Sequence, residues 1–180
     1  MPAPTRSPAP SDALAPSPWV VRFAPLLPSG AVLDLAAGAG RHARYLRGFG
    51  HAVTAVDRDV SSLADLAGAS GVEIVETDLE AGAPWPLADR RFAGVVVTNY
   101  LHRPLLPAIV AAVAPGGLLI YETFALGQER FGRPANPDFL LRPGELLDAV
   151  RGRLAVLAYE DLEVAEPAAK RVQRIAARAP

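Results

Sequence analysis

Three aspartates close apolar runs in this chain: Asp34 in VLDL, Asp57 at the end of AVTAVD and Asp78 at the end of VEIVETD. The first run leads directly into AAGAG, with glycines at Gly38 and Gly40, and then into a helical pattern from Arg41. A strand, a glycine-rich turn and a helix in that order turn backbone N–H groups and a positive helix end toward a ligand. GAGRHA fits G-x-G-x-x-G/A, and Asp57 follows Gly40 by 17 residues, where a carboxylate can accept both hydroxyls of a ribose. The plainer reading is that both glycines only permit a tight turn.

Two nucleoside ligands fit this spacing, a nicotinamide dinucleotide and S-adenosylmethionine (SAM). Asp34 stands four residues before Gly38. There it would repel a pyrophosphate but suit a ligand carrying an amino group and a sulfonium. Asp78 repeats the strand-ending acid and can accept from an adenine amino group, with Leu79 against the ring. The chain also leaves no room for the separate substrate domain of most nicotinamide dehydrogenases. These features favour SAM. The alternatives are an NAD(P)-binding protein and a non-catalytic SAM-binding regulator that lacks a usable acceptor pocket.

The elements that must hold these residues alternate along the chain. Ser17-Pro18 reads as a helix start, an N-cap followed by proline at the first helical position. Strands are expected over 31–35, 52–57, 72–78, 92–99 and from Leu118, with Pro115-Gly116-Gly117 as the turn into the last. Helices are expected over 41–49, 60–68, 103–115 and in ELLDAV. Such alternation implies an α/β fold with a parallel sheet covered on both faces, and a ligand beyond the carboxyl ends of its strands. LAVLAYEDLEV and AKRVQRIAARA, separated by Pro167, leave no space for a helix and should pair antiparallel. Their opposite charges then meet across the strands, a simpler account of KRVQRIAAR than RNA binding.

At 180 residues, with 51% hydrophobic residues and a net charge of -1, the chain is expected to fold as one domain over 17–180. The Pro/Ala/Ser-rich residues 1–16 read as a disordered tail. The charge balance gives no reason to expect nucleic acid or a membrane as partner. There is no cysteine, which excludes disulfides, thiolate metal sites and a cysteine nucleophile and fits a reducing, cytoplasmic setting. Lys170 is the only lysine beside seventeen arginines, a bias that fits a GC-rich bacterial genome.

From about Trp19 to Arg178 the sequence resembles the class I SAM-dependent methyltransferases. VLDLAAGAGR matches the glycine motif, VTAVDRD the ribose acid and ETDLE the adenine acid, followed by RFAGVVVTNYLHRPLL and VAPGGLLIYETF. The small size loosely resembles the bacterial tellurite-resistance-related branch. The resemblance implies a Rossmann-like doubly wound sheet, mostly parallel with a C-terminal antiparallel strand pair. It implies that Asp34, Ala36, Gly38 and Gly40 line the methionine end of SAM. Asp57 and Arg58 would line the ribose, Asp78 and Leu79 the adenine, and Asn99 the region of the donor methyl. Ala36 stands where the family usually has its first glycine, and Phe92-Ala93 where it often has Phe-Asp.

Methyl transfer from a sulfonium requires alignment of the acceptor, exclusion of water and, for a protonated acceptor, a base. Tyr100 and His102, just after the fourth strand, are the candidate catalytic residues, with His102 as base. The alternative places His102 at a helix start, packed against Tyr100. His42 and His51 read as surface residues. The long segment after the fifth strand offers Glu122, Phe124, Arg130 and Arg133 as acceptor-binding candidates for a small molecule, its arginines suited to an anionic group or merely solvated. Without cysteine, methylation at C5 of a pyrimidine is excluded. TNYLHR is not the Asn/Asp-Pro-Pro-aromatic signature of adenine or glutamine amino-group methylation. No carboxylate ends the fourth strand, which disfavours the magnesium-dependent catechol type. No metal is expected.

Overall fold

Successive residues of a strand face opposite sides of a sheet, and here each side has its own core. Leu33, Leu35, Val95, Val97, Leu119, Tyr121 and Ile175 belong to one buried cluster. Val32, Val96, Leu118, Ile120 and Ala176 belong to the other. A sheet apolar on both faces needs cover on both, as the β-branched VVV run in residues 95–97 foretells.

The computed structural model describes residues 15–82, 84–166 and 168–180. The tail expected over 1–16 lies outside them except for its last two residues, as does Pro167. Seven strands form one sheet: β1 (Val32–Leu35), β2 (Val53–Asp57), β3 (Val72–Glu76), β4 (Phe92–Thr98), β5 (Val113–Phe124), β6 (Ala155–Val164) and β7 (Lys170–Arg178). Their order is β3-β2-β1-β4-β5-β7-β6. The first five run parallel, and β7 is antiparallel to both β5 and β6. This is the doubly wound sheet with an antiparallel C-terminal pair that the sequence implies. Strand order reverses between β1 and β4, so their carboxyl ends open a crevice.

Helices α1 (Pro18–Phe23) and α2 (Arg41–Gly48) pack with Trp19, Val20, Phe23, Ala43 and Leu46 on one face. Helices α3 (Leu106–Ala111) and α4 (Glu145–Val150) cover the other through Ile109, Val110, Leu146 and Val150. The Ser17 hydroxyl accepts from the Trp19 N–H at 3.1 Å, capping α1 as its sequence suggests.

Two helical runs are shorter than the sequence suggests. The 60–68 run is a 3-10 helix over Ser61–Leu66. The 103–115 run is a 3-10 turn followed by a six-residue α3, and β5 already begins at Val113. Pro104 and Pro107 lack the N–H a longer helix needs. The Pro115–Gly117 turn lies inside β5, where its pairing with β4 jumps from Phe92↔Val113 to Gly94↔Leu118. On the C-terminal pair the expected charges meet: Arg174 donates to Glu160 at 2.7 Å, and Arg171 pairs with Asp161.

Candidate active site

A cleft of about 420 Å³ lies beyond the carboxyl ends of β1 to β4. The end of each strand supplies part of its wall: Ala36 after β1, Asp57 and Arg58 at β2, Thr77 to Glu80 after β3, and Asn99 with Tyr100 after β4. Phe139, from the long segment after β5, closes one side.

The turn from β1 into α2 borders the cleft through Ala36, while Gly38 and Gly40 do not line it. Ala36, Gly38 and Gly40 all have positive φ, at 54°, 53° and 72°. Alternating left-handed residues fold the chain into a tight, concave turn. Asp57 fastens it, accepting from the Gly38 N–H at 2.7 Å and from the Asp59 N–H at 3.1 Å. Beside Gly38 the space is open, since a Cβ built there meets no heavy atom within 4 Å. At Gly40 a Cβ would lie 2.3 Å from Leu63 and 2.8 Å from the Arg44 guanidinium. Arg44 braces the turn by donating to the Ala39 carbonyl, to the Ser62 carbonyl at 3.0 Å and to Asp65 at 3.0 Å. Sequence reading overlooks Arg44, because its partners lie in an element whose packing no local pattern reveals.

Asp34 is buried behind this turn, 1% exposed and hydrogen-bonded by the Ala43 backbone, and does not line the open cleft. Burial raises its pKa from 3.8 to about 7, opposed by a hydrogen bond from the Ala43 backbone and by Arg41. Its Oδ2 has no hydrogen-bond partner. A buried carboxylate oxygen left without a donor is costly, so a donor group of a ligand fits this place.

Tyr100 lines the cleft, and its hydroxyl is buried against the Glu80 carboxylate. Partial burial, followed by the charges of Glu80 and Asp78, pushes its ionisation up, so the hydroxyl keeps its proton. Tyr121 supports the backbone below by donating its own hydroxyl to the Tyr100 carbonyl at 2.8 Å. Asn99 adopts φ 55°, a conformation that asparagine tolerates better than most residues.

A smaller chamber of about 270 Å³ adjoins the cleft through Glu80, Asn99, Tyr100 and Phe139 and adds Thr123 and Phe124. Arg133 lines only an outer apolar shelf against Pro134 and Phe139. Phe139 is held from behind by Arg103. That guanidinium donates to the carbonyls on either side of Phe139, Asp138 at 2.7 Å and Leu140 at 2.8 Å, and to Glu145 at 2.6 and 3.0 Å. In the segment HRP the arginine thus has a defined task, whereas His102 lines neither the cleft nor the chamber.

Several expectations need correction. His42 is not a surface residue. It is 2% exposed, its Nε2 accepts from the Ser17 N–H at 3.1 Å, and its Nδ1 lies 3.4 Å from the Thr98 hydroxyl. Burial lowers its pKa to about 3, so it is neutral. His51 is only half-buried, its Nδ1 3.2 Å from the Gly30 carbonyl. Glu122 does not face an acceptor. It is 1% exposed and takes hydrogen bonds from Ser17 at 3.0 Å, Lys170 at 3.3 Å and Arg174 at 3.2 Å. Arg130 is turned outward to Glu163. Phe124 is the acceptor candidate from this segment that reaches the inner chamber.

A family model described as "Methyltransferase domain" matches residues 33–121. Solved structures share the fold. TehB from Haemophilus influenzae superposes with a TM-score of 0.69 at 22% identity over 89% of this chain and 61% of that one, so the chain spans about three-fifths of its length. Burkholderia thailandensis 1,6-didemethyltoxoflavin-N1-methyltransferase, solved with 1,6-didemethyltoxoflavin and S-adenosylhomocysteine, gives 0.65 at 22% identity, covering 89% of this chain and 76% of that one. The glycopeptide N-methyltransferase MtfA, in complex with S-adenosylhomocysteine, gives 0.59 at 24% identity over 90% and 87%. A search of curated proteins finds no match. Residues 33–121 thus match a methyltransferase family model, and the chain shares the fold of these methyltransferases.

Proposed function

We propose that this chain transfers the methyl group of SAM to a small-molecule acceptor, as a cytoplasmic bacterial enzyme with a single catalytic domain over 17–180. One observation carries the reading. The partnerless Oδ2 of Asp34 lies behind an open glycine turn, with the strand-ending carboxylates Asp57 and Asp78 on the wall of the cleft that this turn borders. These residues fit the donor. Asp34, buried behind Ala36, Gly38 and Gly40, supplies negative charge toward the positive methionine end. Asp57 and Arg58 hold the ribose, the carboxylate accepting its hydroxyls while still fastening the Gly38 amide. Asp78 accepts from the adenine amino group, and Leu79 packs on the ring.

When bound, SAM supplies a methyl carbon already activated by the adjacent sulfonium. What the chain must add is alignment and dryness. Asn99 marks the junction of cleft and chamber, where donor and acceptor meet. Tyr100 presents its ring to the acceptor, and Phe139, set by Arg103, keeps water from the reacting atoms. No base at His102 is needed in this account. The toxoflavin and glycopeptide methyltransferases named above support a small acceptor by analogy of fold. Among the described residues no helix is long and apolar enough to cross a membrane.

Calorimetry tests the donor. S-adenosylhomocysteine should bind with micromolar or tighter affinity, and NAD and NADP should give no heat. Nicotinamide binding without S-adenosylhomocysteine binding would overturn the reading.

A further inference from the structure

We propose that the acceptor is a small amine with an apolar body, held between Glu80 and the rings of Tyr100, Phe124 and Phe139. The inference rests on the methyl-transfer reading and concerns only the chamber beside the donor cleft.

The charge inventory of that chamber has one sign. Glu80 is its only ionisable carboxylate, with no lysine, arginine or histidine among the lining residues. The nearby arginines are committed elsewhere or sit outside: Arg130 to Glu163, Arg103 to Glu145, and Arg133 on the outer shelf. On the adjoining cleft wall Asp57 and Asp78 outnumber the one cation, Arg58, and leave the field negative. A carboxylate or phosphate acceptor would meet repulsion here and no counter-charge, whereas an ammonium would meet Glu80 directly. The remaining walls favour the same chemistry. Three aromatic rings attract a cation through their faces and pack an apolar body. The Asn99 side chain supplies neutral hydrogen bonds to the neutral amine.

The amine enters protonated and gives one proton to water past Glu80, an exposed residue of the chamber lining. Its freed lone pair forms the new nitrogen–carbon bond as the carbon–sulfur bond of the donor breaks, with that electron pair left on sulfur. The positive charge moves from sulfur to nitrogen, and the methylated ammonium sheds a proton to solvent. No other reactant is required.

The test uses the full chain with three matched probe sets built on propyl, cyclohexyl and phenylethyl bodies, each as amine, carboxylate and alcohol. The readouts are S-adenosylhomocysteine formation and calorimetric binding of each probe to the protein preloaded with S-adenosylhomocysteine. At least one amine should bind and be methylated at least tenfold better than its carboxylate and alcohol. Glu80→Gln should raise KM for that amine at least tenfold with a smaller change in kcat, and Glu80→Lys should reverse the preference toward the carboxylate in the binding assay. If the parent binds S-adenosylhomocysteine but no amine outperforms its partners, or Glu80→Gln leaves KM unchanged, the amine inference is overturned and the donor reading stands. Failure to bind S-adenosylhomocysteine at all overturns both.

Discussion

Replacing Asp34 with asparagine measures what this carboxyl costs the fold. Burial moves its pKa from 3.8 to about 7, with the Ala43 backbone and Arg41 pulling down and Asp57 adding slightly to the rise. Between those two pH values the unfolded chain releases a proton that the folded chain keeps. Stability from this group is therefore complete below pH 3.8 and is lost as pH rises toward 7. The loss runs at about 1.4 kcal/mol per pH unit, or roughly 2–3 kcal/mol between pH 5 and pH 8. Asparagine keeps the shape and has no proton to lose. Urea unfolding at the two pH values should show Asp34→Asn gaining on the parent by that amount as pH rises. His42 works in the opposite sense. Its folded pKa of about 3 lies below the ordinary 6.5, so its contribution is present above 6.5 and fades as pH falls. Both proteins share that effect, and the difference between them isolates Asp34. A parent–variant difference that changes by less than about 0.5 kcal/mol between pH 5 and 8 would refute the reasoning, since a solvated carboxyl gives none.

Ala36→Gly relieves a non-glycine residue at φ 54° and should stabilise the chain by about 1 kcal/mol, read as a higher melting temperature; a lower one counts against strain in the turn. Asp57→Ala removes the acceptor of the Gly38 and Asp59 amides together with the proposed ribose contact. Its affinity for S-adenosylhomocysteine should fall by about 2–3 kcal/mol in calorimetry, and an unchanged affinity in a folded variant would remove Asp57 from the site. Arg103→Met frees the carbonyls flanking Phe139 and should cost about 1–2 kcal/mol of stability. It should also speed proteolytic cutting within 125–144 while leaving S-adenosylhomocysteine affinity near that of the parent; protection equal to the parent would show that the loop is held by other means.

The parallel sheet was readable because its signals are local. Strand-ending acids, glycine turns and β-branched runs place β1 to β5 within a few residues, and the absence of a helix between the last two runs places the antiparallel pair. Helix lengths were not readable. The Ser61–Leu66 run has the apolar spacing of an α-helix, yet it packs as a 3-10 turn against Gly40 and Arg44. His42 shows the limit most clearly. Its partners Ser17 and Thr98 are 25 and 56 residues away, and no pattern around His42 foretells that it is buried and neutral. Glu122 was misread for the same reason. It continues a strand into a loop in sequence, while its cations arrive from β7, a strand paired only in the fold. Arg103 went unseen beside a histidine whose chemistry looked more useful.

The hydrogen bonds of Ser17 decide how this protein can be cut. The segment that matches the family model, 33–121, holds most of the donor half of the cleft and looks like a portable module. Excised at those limits, it would lose the backbone N–H that His42 accepts and the strand that pairs along β5. The excision would also stop one residue short of Glu122, the acid on which Ser17, Lys170 and Arg174 converge. All four groups of that cluster would be left behind, and the end of β5 in the excised piece would lose its anchor. A graft, a fusion or a split reporter built from this domain therefore has its natural seams before Ser17 and after β7. The recognisable motifs are an inset within the folding unit, and any library that shuffles them as a cassette should recover soluble protein only when both flanks travel with it.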